Sequence, residues 1–273
     1  MRADRPGTAA ILDESTELVS RTGYGWAALL ALTMLPLRFL EVLFADRLLE
    51  TGKAAGEYGN TFRTLSLYVT LAFVLSIAGK AIFVRALGLA LHGEGGTKRQ
   101  ALRIAPAAVA SFLYASLVIE ILLLLFSFTI VGIPVVAILS GLAAATFEKN
   151  DRPSLTRPFQ LIGQHTRPIG PLVAIAFTFA LAFLLAMINL FAAFGIGIWL
   201  AGAVPGVDVT TWTARLSLGN RLYVLLLAAG ASVLVEPFWL AANVVFVRRV
   251  GSRENGEDLR QWFSQIRDDE RAA

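Results

Sequence analysis

The chain has 273 residues, of which 56% are hydrophobic and 16% charged, with no cysteine and a formal net charge of +4. Soluble domains carry about 25% charged residues, so this balance excludes a disordered chain, a disulfide-stapled secreted scaffold and an ordinary soluble enzyme. It points to an all-α, polytopic helical membrane protein.

A bilayer core of about 30 Å takes about 20 apolar residues per helix. The apolar runs have room for about six transmembrane helices, with amphipathic helices at both ends and no separate soluble domain. Runs such as Ile119–Leu125 and Leu222–Leu227 do not alternate, which argues against a β-barrel. Three parts follow: an amphipathic cytoplasmic N-terminal helix in 1–23, a six-span bundle in 24–249, and a cytoplasmic tail with an interfacial helix in 250–273.

Arg2, Asp4, Arg5, Asp13, Glu14, Glu17 and Arg21 leave residues 1–22 without the apolar core of a cleavable signal. Residues 8–21 read as an amphipathic helix capped by Thr8, with Ile11, Leu12, Leu18 and Val19 on one side, lying on the membrane surface. The first span covers 24–45, and Pro36 should kink it. The second covers 65–89. A Gly-rich basic loop (92–103) leads to a hairpin of the third and fourth spans across 104–147, turning near Gly132 and Pro134. After a polar segment (148–168), the fifth span runs over 170–200 and is long enough to tilt or break near Gly195 and Gly197. The sixth covers 220–246 and ends at Arg248 and Arg249. In the tail, Leu259, Trp262, Phe263 and Ile266 recur at helical spacing, so Trp262 and Phe263 read as interfacial anchors.

Lysine and arginine set the orientation. With the N-terminus inside, 17 fall on inner segments and 5 on outer ones. That asymmetry places both termini in the cytoplasm. Basic residues at helix ends also account for the positive charge without a nucleic-acid partner. The partners expected are the lipid bilayer and a protein in the membrane.

Catalytic signatures are missing. His92 and His165 stand alone in loops, short of the three or four ligands a zinc site needs. The run Gly93, Gly95, Gly96, Lys98, Arg99 lacks P-loop spacing, and no GxSxG elbow occurs. No catalytic, cofactor-binding or metal-binding residue is therefore assigned, and no cofactor is expected.

The informative residues are ionisable groups inside the spans: Arg38, Glu41, Lys80, Glu120 and Glu236. A charge at mid-bilayer costs about 2.5–3.5 kcal/mol on the insertion scale. Counting residues along each span puts Arg38 level with Glu120, and Lys80 level with Glu236. Two opposite-charge pairs at two depths read as locks between helices. A polar substrate or proton path through the same charges is the alternative. Small residues at four-residue spacing (Ala107, Ser111, Ala115; Gly141, Ala145; Ala228, Ser232) would let helix backbones approach.

Several stretches carry a resemblance. They are Pro36 in the first span, the Ala101–Leu102 element, "VGIP" at 131–134, "ATFE" at 145–148, the segment 157–172, and the ending 236–259 with its proline, basic pair and Glu/Gly/Asp-Leu element. The chain resembles the membrane domain associated with glycerophosphodiester phosphodiesterases and its stand-alone bacterial relatives of unknown function. Phe246 and Val247 stand where that family usually has tyrosine and aspartate. The family's phosphodiesterase chemistry resides in a separate soluble domain, so the resemblance implies no catalytic residue here. The resulting expectation is a non-catalytic scaffold or partner subunit of an envelope complex. A small-solute or lipid transporter using the intramembrane charges is the alternative.

Overall fold

A computed structural model of the chain describes residues 8–50, 59–91, 113–114, 116–118, 141–142, 169–204, 206 and 208–254. All regular structure among them is helical: α1 (Thr8–Thr22), α2 (Tyr24–Glu50), α3 (Gly59–Leu91), α4 (Ile169–Gly202), α5 (Thr210–Arg215) and α6 (Arg221–Glu254). Three helices contain segments long and apolar enough to cross a membrane: Leu67–Leu91, Val173–Gly202 and Arg221–Arg249. Six spans were expected; the third and fourth fall almost wholly outside the described residues.

α1 and α2 form a bent pair, turned by 92° at a single residue. That residue is Gly23, whose φ of +98° lies where side chains other than hydrogen are strained. Its N–H donates to the Val19 carbonyl at 3.0 Å, an αL cap that closes α1. Its own carbonyl accepts from Trp26 N–H at 3.0 Å and starts α2.

The turn lays α1 across the ends of the long helices. The apolar stripe expected to face lipid is covered by protein instead: Ile11, Leu18 and Val19 are buried in the common core. α1 packs most on α6 and also touches α2, α3 and α4. A stripe of this width satisfies itself equally on a bilayer or on a bundle end, and the Gly23 turn delivers it to the bundle.

α6 is the central element, packing on α1, α2, α3 and α4. Its residues 240–247 are buried without interruption. Against them lie Leu30 and Met34 of α2, Val84 and Leu87 of α3, and Ile175 of α4, all 1% exposed or less. The dense core therefore sits at the end that α1 covers. At the other end the helices open: Leu67, Tyr68 and Leu71 of α3 are exposed, and so is every residue of α4 from 191 to 197.

One detail differs from the sequence reading: α4 runs unbroken through Gly195 and Gly197, since neither glycine needs an unusual φ. The membrane-length segment of α6 ends at Arg249, and the helix itself runs on to Glu254.

Candidate functional site

Close approach of α2 and α3 positions the site. A Cβ added at Gly79 would fall inside the Thr33 side chain, so glycine there lets the two backbones nearly touch. Thr33 is held by its hydroxyl, which donates to the Leu30 carbonyl at 2.8 Å. The next residue on α3 is Lys80. Its Nζ lies 2.8 Å from Glu236 Oε1 on α6, with the two side chains 23% and 16% exposed.

Pro237 directly follows Glu236 inside α6. Proline has no N–H to give the carbonyl four residues earlier, so the α6 ladder is weakened at the turn that carries the carboxylate. α2 has the same device two residues before its charge, Pro36 before Arg38. Arg38 acts electrostatically on Glu236 from the α2 side.

The cluster stands where the bundle begins to open. On α3, Leu75 before Lys80 is exposed and Ala81 after it is fully buried. On α6, Leu234 is exposed and Leu240 buried. Below it, Asn243 is 2% exposed and donates from Nδ2 to the Trp239 carbonyl at 2.8 Å. Its Oδ1 is buried with no donor among the described residues. Trp239 stacks edge-on against Phe179 of α4, ring centres 5.3 Å apart. Gly141 fits against this pair: a Cβ there would come within 2.5 Å of Asn243 Nδ2 and 2.8 Å of Trp239 Nε1.

Of the residues picked from sequence, the structure brings Lys80 and Glu236 into contact. The expected Arg38–Glu120 pair reaches outside the described residues. Glu120, Trp262 and Phe263 lie outside the described residues, as do His92 and His165.

A second ionic contact was not anticipated. Glu14 on α1 accepts from Arg249 on α6, with Arg249 Nε 2.9 Å from Oε2, and Arg248 stands 4.0 Å from its other oxygen. Sequence reasoning gave the basic pair no partner on another helix. The signal for its partner was available: Glu14, Leu18 and Arg21 share a face at i, i+4 and i+7, so the charge borders the apolar stripe.

At the open end, Asp208 Oδ1 accepts from the Thr210 N–H at 2.9 Å and from its hydroxyl at 2.6 Å, an Asx turn that starts α5. These two bonds to the charged form hold the Asp208 carboxyl below its usual range.

No family model, curated protein or solved structure matches this chain. The Lys80–Glu236 pair can hold α3 to α6 or take up charge. Among the described residues no group of three or more metal-ligating side chains occurs.

Proposed function

We propose that this chain is an integral protein of a bacterial inner membrane, without catalytic activity, that serves as a scaffold or partner subunit of an envelope complex. The observation that carries the reading is the direct Lys80–Glu236 contact at 2.8 Å between two membrane-length helices. Carboxylate and ammonium spend their charge on each other and on helix registry. The packed core beside them gives that registry a purpose. Both termini in the cytoplasm and six spans follow from the basic-residue asymmetry and the apolar runs. The resemblance to the membrane domain of glycerophosphodiester phosphodiesterases supports the same picture, with the chemistry left to other proteins.

A second reading, a small-solute or lipid transporter, is favoured by one feature. Two opposite charges meet where the bundle opens, each beside a proline or glycine that loosens or thins its helix.

Purification of the full chain in mild detergent separates the two. A scaffold retains its partner proteins, and the double variant Lys80→Met/Glu236→Leu retains them too. A transporter purifies alone, dissipates an imposed ion gradient in liposomes, and loses that activity in the double variant. For orientation, cysteines introduced at Lys53 and Lys98 should react with an impermeant thiol reagent in intact cells at 53 and not at 98.

A further inference from the structure

Asn189 stands in the wrong solvent. It lies 16 residues after Val173 and 13 before Gly202, at the middle of the most apolar membrane-length segment, and its side chain is exposed. Its Nδ2 donates to the Leu185 carbonyl at 2.9 Å. An amide also carries a second N–H and an acceptor oxygen, and among the described residues these meet nothing. Hydrocarbon tails can satisfy neither.

The surface around Asn189 is shaped for another helix. Ala182, Leu185, Asn189, Ala192, Ile196 and Trp199 follow one another at alternating spacings of three and four, the seam of a left-handed helix pair. From Leu185 onward every one of them is exposed. From Leu185 onward the seam faces away from the side of α4 that meets α6 through Phe179, Leu190 and Phe194; towards the helix start the same stripe runs into the core at Ile175. The alanines above and below Asn189 allow close approach.

We propose that a second copy of this chain packs its α4 against this seam, with Asn189 hydrogen-bonded to Asn189 across a two-fold axis along the membrane normal. An amide is donor and acceptor at once, so it complements itself. Two copies inserted in the same orientation carry it at the same depth, which a different protein would have to match separately. A central asparagine on such a seam also fixes register. The proposal rests on the membrane reading of α4 but not on the Lys80–Glu236 contact, and the two are tested by different variants.

The absence of cysteine makes the test clean. The full chain is reconstituted in liposomes with single cysteines on the seam (Leu185→Cys, Ile196→Cys) or off it (Leu184→Cys, Gly195→Cys) and then oxidised. Seam positions should form covalent dimers several-fold faster than off-seam ones. In the cysteine-free chain, energy transfer between labelled copies should give a dimer dissociation constant about three- to thirtyfold weaker for Asn189→Leu, with Asn189→Gln near the original. Since Asn189 is exposed, its unfolding midpoint in monomeric detergent should not move, which separates lost docking from lost fold. Equal crosslinking on and off the seam, or an Asn189→Leu chain that dimerises as well as the original, would overturn the proposal.

Discussion

Gly79 is small because Thr33 already occupies the space a side chain would need. Gly79→Ala should therefore cost about 1–3 kcal/mol through overpacking, visible as a lower unfolding midpoint. Thr33→Ala in the same chain, which removes the nearest atom, should recover part of the loss. A Gly79→Ala chain as stable as the original would mean that α2 and α3 are farther apart than described. Asp208 offers a pH test. Its carboxyl is held below the value it has in the unfolded chain, so its contribution is complete above about pH 3.9 and is lost as pH falls through the lower folded value. Protection of the Thr210 amide, corrected for intrinsic exchange, should stay flat from about pH 8 to about pH 5 and fall only below the ordinary carboxylate range. Asp208→Ala should lose that protection throughout. Fading protection near neutral pH would contradict the Asx turn.

α1 shows what an element's own sequence can and cannot say. The spacing of Ile11, Leu18 and Val19 makes the helix and its apolar side legible. What covers that side was not legible, because the partner arrives 235 residues later, where Arg249 meets Glu14. Hydropathy likewise marks where α3, α4 and α6 run, but it carries no helix rotation. Depth counting could bring Lys80 level with Glu236, but it could not show that the two side chains turn towards each other. Asn243 was invisible for a related reason: one amide in an apolar run acquires meaning only from Gly141 packed on it. Two outcomes follow for α1. Gly23→Ala forces an L side chain into the left-handed region, at about 1–2 kcal/mol, and should appear first as faster hydrogen exchange in α1. A double-mutant cycle of Glu14→Gln and Arg249→Gln should give a coupling of about 1 kcal/mol, the upper end for a partly exposed pair. Unchanged exchange in α1 for Gly23→Ala would refute the hinge.

The whole molecule has a closed end and an open one. α1 covers the closed end, and there the buried runs of α3 and α6, the start of α4 and the start of α2 meet. Towards the other end α4 meets α6 through Phe191 and Phe194 against Tyr223 while its remaining sides and α3 become exposed, and the Lys80–Glu236 pair sits at the transition. A contact at that place resists splaying of α3 from α6, which is why it is assigned to holding the bundle. Removing one partner of a buried ion pair leaves an uncompensated charge and costs about 3–5 kcal/mol, whereas replacing both with apolar residues can be nearly neutral. The most direct test is the double-mutant cycle of Lys80→Met and Glu236→Leu, read as unfolding free energy of the reconstituted protein. Either single variant should lose stability, because each leaves one charge of the pair without its partner. The double variant should recover most of the loss. If its destabilisation equals the sum of the two singles, Lys80 and Glu236 do not hold α3 to α6.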